Sequence, residues 1–147
     1  MLYTQTIETQ GGNDLNFEIF VLDTYFEDYY TDAINEYAKR LSRYCKIKLT
    51  KLKDSSSLEA ALNGKAYVIQ LRPKGRSISS EDFSKELSNL ATSGISNIAF
   101  IIGMKYGSAD DTISLTSMEL SPALNTICIY EQIYRAYRIM NNEPYHK

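Results

Sequence analysis

The chain has 147 residues, enough for one compact domain at the usual ~100–200 residues per domain. Apolar residues make up 44% and charged residues 23%, which sets aside a disordered polyelectrolyte. No apolar run reaches the ~20 residues of a membrane helix, and the polar, base-free stretch 1–15 does not read as a signal peptide. Two cysteines, Cys45 and Cys128, and a single histidine, His146, cannot furnish a Cys/His zinc site, so no metal is expected. Two thiols without an export signal fit a reducing cytoplasm.

The net charge of −2 conceals an uneven distribution. Residues 1–38 carry eight acidic side chains and no Lys or Arg. Residues 39–53 carry seven basic ones (Lys39, Arg40, Arg43, Lys46, Lys48, Lys51, Lys53) and no acid. Nucleic-acid binding depends on local positive surface rather than on overall charge, so this band, with Arg40, Arg43 and Lys46 at its centre, is a candidate RNA contact. The competing reading is a solvated helix end and strand face.

Strands and helices alternate along the chain. Phe17–Leu22 reads as a buried strand. From Tyr25 to Leu41 the spacing of Phe26, Tyr29, Tyr30, Ala33, Ile34, Tyr37 and Leu41 predicts a helix, with Asp23 or Thr24 as its N-cap. Ile47 and Leu49 alternate with Lys46, Lys48 and Thr50 as in a strand with one wet face. Ser55–Leu62 suits a short helix stopped by Asn63-Gly64, and Ala66–Leu71 a second buried strand. Pro73 and Gly75 make Arg72–Ser80 a loop. Ser79 then opens a helix that buries Phe83, Leu87, Leu90 and Ala91 and ends at Gly94. Ile98–Ile102 is continuously apolar, as in the middle of a parallel sheet. A further strand is expected around Ile113–Met118, and Pro122 opens the last helix. In that helix Ile127, Cys128, Ile129 and Tyr130 are successive, so both flanks should be covered, by the rest of the fold or by another subunit. The fold class is α/β.

In open α/β sheets ligands bind beyond the carboxyl ends of the strands, which singles out the loops after Leu71, Ile102 and Leu120. Gly75 and Gly103 would let a ligand approach the backbone, or would serve as plain turn glycines. No dinucleotide fingerprint, P-loop or nucleophile elbow is present.

The most specific stretch is the C-terminal run from Glu131 to Lys147, EQIYRAYRIMNNEPYHK. It resembles the tail of the bacterial ribosomal RNA large subunit methyltransferase H family, which ends in E-Q-x-Y-R-A-x-x-I-x-x-x-E-P-Y-H-K. Ile113–Met118 (ISLTSM) resembles that family's L-S-L-S-K-M element, and Gly75–Phe83 (GRSISSEDF) its G-K-x-x-S-S-E-x-F/L element. Phe100–Gly103 matches the strand before its glycine pair, and Ile34–Leu41 its first helix. The likeness implies a variable extension over residues 1–16, followed over 17–147 by one SPOUT-type domain. That domain would be a mostly parallel sheet flanked by helices with a C-terminal trefoil knot, acting as a homodimer. The knot is an exception to the usual unknotted topology and is not readable from periodicity.

The implied activity is methylation of large-subunit (23S) rRNA, at N3 of a pseudouridine, with S-adenosylmethionine as methyl donor. The implied partner is that rRNA or the ribosome, with no DNA and no membrane. By the same resemblance Leu71, Gly103, Leu115, Thr116, Ser117, Met118, Glu119 and Leu120 would hold the cofactor. Tyr145 and His146 are candidates for the base that N3 of a uracil-like ring requires, and Arg135 would contact phosphate or developing negative charge. Some positions depart from the family pattern. Met104 replaces the second glycine, where a side chain would crowd the cofactor loop. Lys105–Thr112 is shorter, Glu119 brings a charge, and Glu119–Thr126 lacks the family's His and Arg. These departures define an alternative, a divergent paralogue that keeps fold and dimer but binds RNA or aids assembly with little or no methyl transfer. A third reading, a small-molecule-binding α/β protein, leaves the basic band unused.

Overall fold

The computed structural model describes residues 15–145. Its five strands form one parallel sheet: β1 (Asn16–Leu22), β2 (Lys46–Leu52), β3 (Tyr67–Ser77), β4 (Asn97–Ile102) and β5 (Asp111–Ser114), in spatial order β2-β1-β4-β3-β5. The helices are α1 (Asp28–Leu41), α2 (Leu58–Leu62, preceded by a 3-10 turn at Ser55–Ser57), α3 (Ser80–Thr92) and α4 (Pro122–Met140). This is the α/β architecture the alternation predicts. Leu15 and Asn16, assigned to the extension by sequence, belong to the folded unit: Leu15 is 2% exposed and Asn16 opens β1.

Strand side chains alternate between two faces, and the strands divide their apolar residues accordingly. Phe17, Ile19 and Val21 of β1, Ile69 and Leu71 of β3, and Ile98, Phe100 and Ile102 of β4 meet α1, α3 and α4 in the main core. Phe20, Val68, Ala99 and Ile101 point the other way, onto Leu58 and Leu62 of α2. β4 is therefore buried on both sides, which is why Ile98–Ile102 is unbroken in sequence. α4 crosses the main core, with Ile129, Tyr130, Ile133, Tyr134, Ala136 and Tyr137 buried. Tyr137 stacks on Tyr44 at 5.2 Å and meets Phe17 edge-on at 6.4 Å. Ser84 of α3 donates to the Ala136 carbonyl at 3.0 Å, which satisfies a buried hydroxyl at the helix–helix contact.

Three boundaries differ from the sequence reading: the strand expected around Ile113–Met118 is β5, which spans Asp111–Ser114 and ends before the 115–120 loop. α1 begins at Asp28 with Glu27 as its N-cap, and Tyr25 lies in the preceding loop. The segment expected to be a loop after Leu71 is largely strand, because β3 runs on to Ser77. Ile113 of β5 pairs first with Leu71 and again with Arg76, so the intervening residues bulge out of the ladder. Pro73 lies within that bulge, where it leaves no ladder bond unmade. Gly75 is required there: a Cβ would lie 2.6 Å from the Ile113 carbonyl carbon. The close approach that this glycine permits is thus to β5, not to a ligand. Arg76 secures the bulge, with bidentate bonds to Glu86 of α3 (2.9 and 3.0 Å) and one to Asp111 of β5 (2.6 Å). The remaining caps follow the sequence: Asn63 (φ 59°) and Gly64 (φ 67°) end α2, and Ser79 and Ser121 accept from Asp82 and Leu124 amides at the starts of α3 and α4.

Two predictions follow from this packing. Gly75→Ala should cost about 1–3 kcal/mol by overpacking, whereas Gly107→Ala, with nothing within 4 Å of its Cβ position, should stay within about 0.5 kcal/mol of wild type in urea unfolding. The Cys45 thiol, which lies beside Tyr130 and is hydrogen-bonded to Tyr137, is pushed up from 9.0 to about 12 by burial. Between those values the unfolded chain releases a proton that the folded chain keeps, so stability falls as pH rises. Cys45→Ala should therefore show a smaller loss of stability between pH 8 and 10.5 than wild type.

Candidate functional site

The parallel register collects the loops singled out by sequence. Leu71 pairs with Ile102 on one side and Ile113 on the other. Gly103 and Leu115 thus leave β4 and β5, the two strands that flank β3, just beyond one row. Leu71 itself is a core residue, paired on both sides within the ladder. Gly103 is exposed at φ 78°, with only Pro122 Cγ (3.9 Å) near its missing Cβ. Met104, expected to crowd this loop, turns instead into the α2-side core and is 5% exposed. The side chain after Gly103 is therefore directed away from the loop surface.

Leu115, Thr116 and Leu120 line a cleft of about 260 Å³ together with Ile113, Ser114, Phe83, Ser79 and Ser80 at the start of α3, and Cys128 and Gln132 of α4. Its walls are apolar with hydroxyls at the rim. The loop is tied by side chains: Ser114 Oγ lies 3.1 Å from the Pro73 carbonyl and 2.9 Å from that of Thr116, and the Met118 amide donates to Thr116 Oγ1 at 3.3 Å. Ser117, Met118 (72% exposed) and Glu119 project to solvent and do not line the cleft. The Glu119 charge accordingly sits outside it.

Beside the cleft, the outward face of α4 carries a polar cluster centred on Glu131. Its carboxylate accepts from Gln132 Nε2 (2.7 Å), Arg135 Nη2 (2.7 Å) and the Tyr145 hydroxyl (2.9 Å). Gln132 joins the two regions, since its Oε1 accepts from Ser80 Oγ at 2.6 Å and it also lines the cleft. Arg135 lies over the Tyr145 ring at 4.8 Å, and Tyr145 packs edge-on against Tyr134 at 5.0 Å. The tail is held a second time at Glu143, which accepts a short hydrogen bond from the Tyr44 hydroxyl and lies 3.7 Å from Arg138 Nε. Burial and the bond to Glu131 raise the Tyr145 phenol above its ordinary pKa, so it stays protonated as a donor. Burial, reinforced by Glu131, also raises the Cys128 thiol.

Sequence-predicted Arg135 and Tyr145 thus come together, and His146 lies outside the described residues. In sequence, Glu131 and Gln132 are only parts of the C-terminal motif. Their hub role was hidden because it depends on the tail turning back at Asn142 (φ 55°). The basic band does not stay whole. Arg40 bonds Glu36 at 2.9 Å and lies over Tyr37 and Tyr134, which connects it to the tail cluster. Arg43 lies over Tyr44 and 3.7 Å from Glu143, while Lys46 points to the opposite, α2 side of the sheet.

Glu131→Ala should cost about 1.5–3 kcal/mol, the range for hydrogen bonds to a charged group, because this ion pair is largely shielded (side chains 26% and 18% exposed). It should also free the tail, so that chymotrypsin cleaves after Tyr145 faster than in wild type, as read by mass spectrometry.

Comparison with known proteins gives the family. The profile of the family described as "Predicted SPOUT methyltransferase" matches residues 15–146. A "Ribosomal RNA large subunit methyltransferase H 1" of Thermoanaerobacter is 38% identical over 133 residues, covering 90% of this chain and all of that protein. Proteins named "Ribosomal RNA large subunit methyltransferase H" from Exiguobacterium and Clostridium kluyveri are 38% and 36% identical over 159 aligned positions, again covering 90% of this chain and all of theirs. The chain belongs to the SPOUT methyltransferase family, among the proteins of the ribosomal RNA large subunit methyltransferase H type.

Proposed function

We propose that the protein is a cytoplasmic, S-adenosylmethionine-dependent methyltransferase acting on large-subunit rRNA, at N3 of a pseudouridine. The observation that carries this reading is the convergence of Leu71, Gly103 and the 115–120 loop at one end of the sheet, beside the Glu131 cluster. The residues fit an adenosyl group. The cleft offers apolar walls from Phe83, Ile113, Leu115 and Leu120 and hydroxyls from Ser79, Ser114 and Thr116, and Gly103 leaves its backbone open to approach. When bound, the cofactor supplies an electrophilic methyl group, so the protein's tasks are placement and proton removal.

Tyr145, already a donor, orients the tail and the incoming ring. Arg135, fixed by Glu131, faces the developing negative charge. The base is assigned to His146, whose imidazole would take the N3 proton of the target ring. A homodimer and a C-terminal knot are parts of the same proposal. The dimer would bring Leu124 (39% exposed) and the flank of α4 against a second copy. The short loops do not favour the inactive-paralogue alternative, because the Thermoanaerobacter relative aligns over its whole length in 133 residues and bears the methyltransferase name.

Calorimetric titration should show S-adenosylmethionine binding, and the cofactor should slow alkylation of Cys128 in the cleft without changing that of Cys45. Leu120→Arg should remove both effects. His146→Ala should lower transfer of labelled methyl to unmodified large-subunit rRNA by about 10²-fold or more while leaving cofactor binding intact. A folded protein that takes up no cofactor overturns the enzymatic reading.

A further inference from the structure

The opposite end of the sheet carries a second cleft, of about 440 Å³, that the methyl-transfer reading does not use. It lies beside α2, which has only five residues and contributes Ala61 and Leu62 to the lining. At the amino ends, β2, β1 and β4 align Lys46, Asn16 and Asn97 in one row, and Lys48, Glu18 and Ala99 two residues further on. Asn63 and Lys65, just past α2, close the other wall. The alternation that buries Ile47 and Leu49 against the main core sends Lys46 and Lys48 here.

The lining is electropositive and rich in hydrogen-bond donors. Among the described residues Lys46 and Lys65 take part in no ion pair. Lys48, 71% exposed at its side chain, lies 3.6 Å from Glu18, the cleft's one carboxylate, which also accepts from Thr50 Oγ1. Asn16 donates its amide to Asn97 Oδ1 at 3.2 Å, and both side chains belong to the lining. Phe20, Leu62 and Ala99 form an apolar floor, and the charged and amide groups stand around it on Lys46, Lys48, Lys65, Asn16, Asn63 and Asn97.

We propose that this cleft is a docking surface for the phosphate backbone of RNA, contacted by Lys46, Lys48 and Lys65. It rests on the reading of the protein as an rRNA methyltransferase and adds a contact site remote from the reacting end. Strands of six or seven residues separate the two ends by about 20 Å at ~3.3 Å per residue. A polynucleotide spans that distance and a mononucleotide does not. The sequence-predicted band is thereby redistributed: Lys46 joins Lys48 and Lys65, while Arg40 and Arg43 serve the tail cluster.

The test uses the full chain and a fluorescent transcript of unmodified large-subunit rRNA, with affinity measured between 50 and 200 mM KCl. Each lost phosphate contact lowers the slope of log K against log salt by about 0.7–0.9. The K46A/K48A/K65A variant should therefore lose about 2–3 from its slope, with its melting temperature and S-adenosylmethionine heat unchanged. The single variant K65E, at an exposed position, should weaken binding in the same direction and serves if the triple variant folds poorly. Wild-type slope and affinity in both variants overturn the proposal. A defect seen with ribosomal particles but not with naked rRNA assigns the cleft to a protein and overturns it too. If wild type binds no rRNA, the docking surface falls together with the RNA substrate, while the cofactor titration reports separately on methyl-transfer chemistry.

Discussion

The contact on which the site depends is the meeting of two backbones, Gly75 of β3 and Ile113 of β5. β5 has only four residues and lies at the edge of the sheet, a position in which so short a strand is poorly held by a single ladder. It is gripped twice, by Leu71 and by Arg76, with the bulge arching between. Glycine is the residue that lets the returning strand lie this close, and Arg76 fastens the assembly to α3 and β5. The consequence is positional. The loop after β5 begins beside the ends of β3 and β4, and the cleft is assembled from that loop, the start of α3 and the flank of α4.

α4 serves two surfaces at once. Its inner face supplies tyrosines and isoleucines to the main core, and its outer face carries Cys128, Glu131, Gln132 and Arg135 one helical turn apart. The reach of Glu131 to three donors ties helix and tail into a unit. A carboxylate with three partners is held more firmly than any one of them would hold it, since each bond fixes the geometry of the others. This arrangement gives the tail a rigid support, and it keeps the Tyr145 hydroxyl a donor.

The departures from the family pattern look different in three dimensions. Met104 looks intrusive in sequence, yet it fills the α2-side core left open by a five-residue helix. Glu119 brings a charge to the 115–120 loop but projects to solvent. The compact loops preserve the register of β3, β4 and β5, because Gln70 bridges the shortened segment, accepting from the Tyr106 amide at 2.9 Å and donating to Thr112 at 3.0 Å.

Sequence alone determined what periodicity encodes: an α/β chain, the doubly buried β4, the starts of α3 and α4 at Ser79 and Ser121-Pro122, and the stop at Asn63-Gly64. These are local signals, carried by side-chain alternation and by backbone preferences within a few residues. It also pointed, through motif resemblance, to the loops and tail that the fold places together. Tertiary structure alone decided the continuation of β3 past Pro73, since a strand that pairs twice with one partner depends on a neighbour some 40 residues away. The same holds for the direction of Met104, for Glu131 as the anchor of the tail, and for the partition of the basic band. Seven cations adjacent in sequence do not make one surface when a strand sends alternate residues to opposite faces of a sheet.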